Sequence, residues 1–149
     1  MENAKLQEIE NLANVFVQLD YAKVPSSILA FLMIAPEGSL TFNRIVSELG
    51  FSKASVSTGL RFLEEKGMIS YRSQLNSRER FIFLNPTGMV DWISARMGVL
   101  EKMKVLFYEV AKHHEKNYGD QFRMIAAMYE ELDEVIAPIL QKFREKLGN

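Results

Sequence analysis

The stretch SKASVSTGLRFLEEKG, which runs from Ser52 to Gly67, decides how the rest of the chain is interpreted. Its apolar residues recur at helical spacing and predict one buried stripe, made of Val56, Leu60 and Leu63. Four of its first seven residues are nevertheless Ser or Thr, which are poor helix formers away from the cap position. Ser52 can act as the N-cap. The other hydroxyl residues need a reason beyond folding.

The residues before this helix predict a helix-turn-helix. Thr41 can cap a short helix that ends at Gly50, two residues before Ser52, and two short helices joined by a tight turn containing Gly form that motif. Two more helices are predicted ahead of it. One is an amphipathic helix of roughly five turns between Leu6 and Leu19, and the other is mostly apolar and lies between Pro25 and Pro36.

The residues after Gly67 predict a β-hairpin, because the apolar period changes from 3.6 to 2 in MISYRSQ and again in RERFIFL. The turn-forming sequence LNS separates the two strands. Three basic side chains lie near the tip: Arg72, Arg78 and Arg80. The order of helices followed by a hairpin is typical of a winged helix.

The remaining residues predict two long helices. The first begins with Asn85 as cap and Pro86 in its first turn and continues to about His114, and the second runs from about Asp120 to the end of the chain. Pro138 is expected to kink or interrupt the second. Each would be about 40 Å long. Their apolar stripes exceed what one small core can cover, which predicts a homodimer built on the terminal helices.

The predicted fold class is therefore mainly α with a small β-hairpin wing, in which a winged helix-turn-helix core is flanked by long N- and C-terminal dimerisation helices. The core is assigned to residues 22–86. Residues 1–21 and 87–149 are assigned to the helical dimerisation region.

Charge is distributed unevenly along a chain whose net charge is only −1. Residues 51–85 carry six basic and three acidic side chains, a local balance of +3 that coincides with the helix-turn-helix and the hairpin. The chain has no cysteine, which excludes disulfides and thiolate metal sites. No apolar run approaches the roughly 18 residues of a membrane span. We therefore expect a cytoplasmic protein with no membrane partner.

A DNA-reading role gives the small hydroxyl residues a reason. A helix approaches base edges in the major groove closely only if its leading face carries short side chains. Arg61 is the candidate for a bidentate guanine contact, and Lys53 adds positive charge to a helix end that already attracts phosphate. The full set of predicted DNA-binding residues is Lys53, Ser55, Ser57, Thr58, Arg61, Arg72, Arg78 and Arg80.

The stretch LTFNRIVSELGFSKASVSTGLRFLEEKGMISYRS resembles the winged-helix core of MarR-type transcriptional regulators. VPSSILAFLMIAPEG and NSRERFIFLNPTGMVDW are similar to the subgroup that includes regulators of glycine-betaine synthesis. The resemblance covers roughly residues 20 to 95. It implies a dimeric, ligand-responsive DNA-binding regulator, often a repressor. A homodimer with two recognition helices in successive major grooves is expected to read a pseudo-palindromic operator. The resemblance also matches Ser57, Thr58 and Arg61 to the recognition-helix surface, and Arg78 and Arg80 to the wing.

Regulators of this type often bind a small-molecule effector beside the DNA-binding core. The candidate ligand-binding aromatics are Phe16, Tyr21, Trp92 and Tyr108, with Phe31 and Phe42 as further members of an aromatic cage. Core packing is the alternative explanation for each of them. His113 and His114 point about 100° apart on a helix and are not expected to chelate one metal. No metal and no cofactor are predicted.

Two other classes of function are alternatives to DNA binding. A winged helix can serve as a protein–protein assembly module without sequence-specific DNA binding, and an exposed Phe62 would favour that reading. An enzyme would need a site such as a Gly-rich phosphate loop, a metal-ligand set or a nucleophile elbow, and the sequence contains none of these. The prediction is that the protein is not an enzyme.

Overall fold

The computed structural model describes residues 2–148, which form seven α-helices and three β-strands. They divide into two compact units, one ending at Gly88 and the other beginning at Met89. Residues 2–21 belong to the first unit.

The first unit contains four helices that follow the apolar periodicity of the sequence. Their bounds are α1 Asn3–Gln18, α2 Lys23–Ile34, α3 Phe42–Leu49 and α4 Lys53–Glu65. Helix α2 is the centre of the core, since every residue from Pro25 to Leu32 is buried. Phe31 is 0% exposed, with the cationic groups of Lys5 and Arg44 each 5.6 Å from its ring centre. The all-round apolarity of this segment therefore reflects burial on most of its sides.

The helix-turn-helix is set by the predicted capping residues. The Thr41 hydroxyl accepts a hydrogen bond from the Arg44 amide (3.3 Å) at the start of α3. Gly50 ends that helix with a φ of +72°, a conformation that glycine adopts without a Cβ penalty. The Ser52 hydroxyl then accepts from the Ser55 amide (3.1 Å) at the start of α4.

A three-stranded antiparallel sheet completes the first unit, in the order β1-β3-β2. The strands are β1 Ser39–Thr41, β2 Ile69–Ser73 and β3 Arg80–Leu84. Strands β2 and β3 confirm the predicted hairpin, the wing. Strand β1 was not predicted from the sequence; it pairs Leu40 with Ile82, and both side chains are buried. The mainly helical architecture with a small wing confirms the predicted winged-helix fold class.

The residues after the wing correct one expectation. The single helix predicted from Asn85 to about His114 is two helices, α5 Pro86–Met97 and α6 Val99–His113, separated at Gly98. Glycine weakens a helix interior, which accounts for a break at this position. The side-chain amide of Asn85, the predicted cap, donates to the carbonyl of Gly67 (2.9 Å). Helix α6 is about 22 Å long rather than 40 Å.

The last helix, α7 Gly119–Gly148, is about 45 Å long and is not interrupted at Pro138. It packs against α6 through aromatic rings, with the Phe107 ring 6.0 Å from that of Phe122 and 5.8 Å from that of Tyr129. Arg144, near the end of α7, forms an ion pair with Asp91 of α5 (2.9 Å). Within residues 2–148, no helix combines the length and the apolar character needed to cross a membrane.

Candidate nucleic-acid interface

Helix α4 presents the predicted hydroxyl and basic side chains to the outside of the first unit. Its inward stripe is buried, with Val56 and Leu63 at 0% exposure and Leu60 at 4%. The predicted residues Lys53, Ser55, Ser57, Thr58 and Arg61 are all exposed. The short side chains therefore occupy the face that a partner can approach.

A cleft of about 510 Å³ lies between this face of α4, the start of α3 and the wing. It brings together three of the predicted basic residues, Arg61 from α4 and Arg78 and Arg80 from the wing, with Ser57 beside them. These residues are separated by up to 23 positions in the chain, so the fold creates the cluster. Guanidinium groups carry several donors in a planar fork, which suits phosphate oxygens and guanine edges.

Two carboxylates, Glu64 and Glu79, also line the cleft. Sequence reasoning did not include them in the site, nor did it include Asn43 and Tyr71, which line it as well. The three- and four-residue spacing of neighbours on a helix could have indicated Ser57, Arg61 and Glu64 as lying on one side of α4. The cleft is therefore polar and mixed in charge, with an excess of basic side chains.

Arg80 and Tyr71 are coupled across the hairpin. The Arg80 guanidinium lies 4.4 Å from the centre of the Tyr71 ring, within the range of a cation–π interaction. Burial raises the pKa of Tyr71, the nearby Glu64 charge raises this pKa further, and Arg80 opposes both effects. The ring restrains Arg80 on the cleft side of the wing, because Tyr71 pairs with Ile82 and Arg80 is two residues away on the same strand face.

Arg72 is not part of this cluster. It pairs with Phe81, and residues directly opposite in an antiparallel pair share a face, so Arg72 lies on the opposite face of the wing from Tyr71. Its guanidinium lies 4.4 Å from the centre of the Phe83 ring. Successive side chains of a strand point to opposite faces of the sheet, which explains why Tyr71 and Arg72 lie on different faces of the wing although they are adjacent in sequence.

The other flank of α4 faces a second groove, of about 500 Å³ and mostly apolar lining. The first turn of α2 forms one side of it, through Ala22 to Pro25. Helix α4 forms the other side, through Ala54, Ser55, Thr58, Gly59 and Phe62. Thr58 and Ser55 therefore lie apart from Ser57 and Arg61, although the sequence prediction groups all four as one DNA-binding set.

Phe62, the residue that would favour an assembly function if exposed, is half-buried. Its ring meets that of Tyr21 edge to face, with the centres 5.1 Å apart. Lys66 lies 5.6 Å from the same ring centre. Contacts within the first unit therefore cover part of the Phe62 side chain.

The candidate ligand-binding aromatics lie in different units. Phe16 and Tyr21 are in the first, with stacked rings 6.2 Å apart, and the buried Tyr21 hydroxyl donates to the Met68 sulfur (3.4 Å). Trp92 and Tyr108 are in the second. The Arg96 guanidinium lies 4.9 Å from the Trp92 ring centre.

Tyr108 is held by an acidic neighbour within the second unit. Its hydroxyl donates to Glu130 (3.0 Å), and this hydrogen bond is the main cause of a raised Tyr108 pKa. His114 packs against the ring of Phe122, with the ring centres 5.4 Å apart. Residues 2–148 contain no group of three or more His, Cys, Asp or Glu side chains arranged to hold a metal ion.

Comparison with known proteins connects this geometry to solved structures. A protein described as a transcriptional regulator matches with a TM-score of 0.66 and 14% sequence identity, covering 95% of this chain and 99% of its own. The chain has a winged helix-turn-helix fold. No protein-family model matches the sequence. No curated protein matches it either.

Two further solved structures have lower TM-scores. MepR, a transcription regulator of the Staphylococcus aureus multidrug efflux pump MepA, has a TM-score of 0.45 and 21% identity, with 87% of this chain and 90% of its own covered. NMB1585, a MarR family regulator from Neisseria meningitidis, has a TM-score of 0.42 and 23% identity, with 89% of this chain and 93% of its own covered.

Proposed function

We propose that this protein is a sequence-specific DNA-binding transcriptional regulator that works as a homodimer in the cytoplasm and represses its targets. The observation that carries the proposal is the convergence of Arg61, Arg78 and Arg80 on one cleft between α4 and the wing. A recognition helix flanked by a basic wing matches what a duplex offers, since base edges are read in the major groove and phosphates at its rims.

In this proposal α4 enters the major groove with its exposed face between Lys53 and Arg61. Arg61 donates two hydrogen bonds to a guanine, and Ser57 contacts the adjacent phosphate or base edge. Lys53 lies in the first turn of α4, where the helix dipole also favours a phosphate. Arg78 and Arg80 contact the flanking backbone, Arg80 being restrained by Tyr71. Glu64 and Glu79 repel phosphate from part of the cleft, which narrows the positions the backbone can take.

Dimerisation is supported by the exposed apolar side chains of α7. Four of them are spaced by four residues and so lie along one stripe of the helix: Val135, Ile139, Phe143 and Leu147. A monomeric soluble protein rarely exposes such a stripe. A two-fold dimer would place two α4 helices in successive major grooves about one helical turn apart.

The resemblance to regulators of glycine-betaine synthesis extends the proposal to a small-molecule effector that weakens DNA binding. An aromatic cage suits a quaternary ammonium group. Within the first unit, the candidate cage residues are Phe16 and Tyr21, whose rings stack, together with Phe31 and Phe42. Trp92 and Tyr108 would contribute only through the second unit.

The assembly alternative loses its main support from the position of Phe62. An assembly module presents apolar side chains on the outer face of α4, whereas the exposed residues of this helix are hydroxyl-bearing or charged, apart from Ala54. Phe62 is half-buried against Tyr21.

The deciding experiment is selection of bound fragments from sheared genomic DNA of the host at near-physiological salt, followed by sequencing. Enrichment of a short inverted repeat by the wild-type chain, lost in an Arg61→Ala/Arg78→Ala/Arg80→Ala variant, is the expected result. Arg72→Ala, on the other face of the wing, is the matched control and should retain the enrichment. Uniform recovery of fragments by the folded wild-type protein would overturn the proposal and favour the assembly function.

A further inference from the structure

The two flanks of α4 differ in chemistry. Successive helical residues are rotated by about 100°, so Ser57 and Thr58 diverge towards opposite sides. Ser57 lines the wing cleft with Arg61, whereas Thr58 lines the apolar groove against α2 together with Ala54. The helix thus offers cationic donors on one side and methyl groups on the other.

The apolar groove is a fixed feature of the first unit. Its depth follows from the close approach of α2 to α4 at Gly59, where an added Cβ would lie 3.0 Å from the Ile28 Cδ1 and 3.2 Å from the Val24 Cγ1. Phe62 also lines the groove, and its ring packs edge to face against that of Tyr21. Within residues 2–148, no carboxylate lines the groove, and Lys23 is the one charged residue that does.

The groove shares a wall with the proposed DNA interface, since Ala54 and Thr58 lie on the N-terminal half of α4 that would enter the major groove. The C5-methyl of thymine is the apolar group that a duplex displays there, and the methyl groups of Ala and Thr are suited to contact it. Lys23 at the rim adds a charge complementary to the phosphate backbone.

We propose that the α2-facing flank of α4 reads thymine through its C5-methyl group, with Ala54 and Thr58 as specificity-determining residues. This inference rests on the proposed DNA-binding function and deepens it. The wing-facing flank then reads guanine through Arg61, while the α2-facing flank reads thymine. Each half-site therefore combines a guanine preference with a thymine preference on the opposite side of α4.

The test compares thymine with uracil, which has the same pairing edge and lacks only the methyl group. A random duplex library is amplified with either dTTP or dUTP and selected on the full chain. Each thymine of the selected duplex is then replaced singly by uracil. We expect about a fourfold loss of wild-type affinity at one or more thymines per half-site, the factor that corresponds to burying one methyl-sized group.

Thr58→Ser keeps the hydroxyl and removes the methyl group. At the thymine that Thr58 contacts, we expect the ratio of thymine to uracil affinity to fall from about four to about one. Ser57→Ala, on the other flank, is the control: it should lower the affinity for the thymine and uracil duplexes equally and keep their ratio at about four. The wild-type comparison needs no variant, so it decides the proposal even if Thr58→Ser does not fold.

Three results would overturn the inference. Equal wild-type affinity for thymine and uracil at every position of an enriched duplex would refute methyl reading and leave the proposed function standing. An unchanged ratio in folded Thr58→Ser would refute the role of Thr58. Enrichment from neither library would overturn the proposed function together with this inference, which distinguishes that failure from the first two.

Discussion

The carbonyl oxygen of Gly67 occupies the space into which a Cβ on Gly88 would project. Gly67 ends the turn between α4 and β2 with a φ of +70°, and its carbonyl also accepts a hydrogen bond from the Asn85 side chain (2.9 Å). The turn after the proposed recognition helix is thereby fastened to the first turn of α5. This contact lies within the first unit and fixes how the wing leaves α4.

Gly88→Ala is expected to destabilise the first unit by at least about 2 kcal/mol, because the overlap is with backbone atoms that cannot rotate away. Urea denaturation followed by circular dichroism measures the change. Gly148→Ala is the matched control, since nothing lies within 4 Å of a Cβ added there, and its free energy of unfolding should stay within about 0.5 kcal/mol of wild type. Equal stability of the two variants would show that the Gly67–Gly88 contact does not constrain the fold.

Ser52→Ala should lower the free energy of unfolding by about 1 kcal/mol, since the variant loses the hydroxyl that accepts from the Ser55 amide. Ser52→Asp keeps an acceptor at the cap and should retain most of the stability. Chemical denaturation of both variants tests this. If Ser52→Asp is destabilised as strongly as Ser52→Ala, the cap is not what the residue contributes.

Arg61→Ala should cost about 1–3 kcal/mol in affinity for the selected operator and relax the preference at one base pair. Arg78→Ala and Arg80→Ala should weaken binding evenly across sequences and each lower the slope of log affinity against log salt by about 1. Arg72→Ala should have a smaller effect, because Arg72 lies on the other face of the wing over Phe83. Fluorescence anisotropy at several salt concentrations separates these behaviours. A loss of base preference in Arg80→Ala with an unchanged salt slope would contradict its backbone role.

Tyr71 should ionise at a higher pH than an exposed tyrosine, because burial and the Glu64 charge both disfavour the phenolate. Because the pKa of Tyr71 is higher in the folded state than in the unfolded state, proton binding at Tyr71 contributes to the stability of the fold. This contribution is complete below the unfolded-state pKa of about 10 and is lost as the pH rises through the folded-state pKa. The ultraviolet phenolate absorbance of wild type minus that of Tyr71→Phe gives the titration curve of this residue.

Two variants should shift the pKa of Tyr71 in opposite directions. Glu64→Gln should lower the Tyr71 pKa, whereas Arg80→Ala should raise it, because Arg80 opposes the other two effects. Shifts of the same sign in both variants would refute the assigned causes.

Local signals in the sequence were sufficient for most of the first unit. Thr41, Gly50 and Ser52 end or begin helices as predicted, because capping depends on one side chain and its adjacent backbone. Strand β1 was missed because three residues carry too little periodicity, and its pairing with β3 is a contact across about 40 positions. The break at Gly98 was missed because the apolar spacing continues through it.

The candidate site was only partly predictable. Helical spacing identified the exposed side of α4, yet it could not show that Ser57 and Thr58 line different grooves, since that depends on where the wing and α2 pack. Arg72 was grouped with Arg80 although the pleat of the hairpin puts them on opposite faces. Tyr71 entered the site only through tertiary packing.

The exposed stripe of α7 provides the test of dimerisation. Ile139 and Phe143 are each 50% exposed and lie one turn apart, so an Ile139→Glu/Phe143→Glu variant places two charges where the proposed partner would pack. Burying an unpaired charge is costly, and we expect this variant to sediment as a monomer where wild type sediments as a dimer.

Glu134→Lys, which alters charge at an exposed position on another side of the same helix, is the control and should remain dimeric. Operator affinity should fall at least tenfold in the monomeric variant. Two separate monomers must then bind the two half-sites independently, whereas in a dimer the binding of one half-site holds the second subunit close to the other. A dimer that survives both glutamates would place the subunit interface elsewhere on the chain. A monomer that keeps full operator affinity would show that one winged helix is sufficient to read the site.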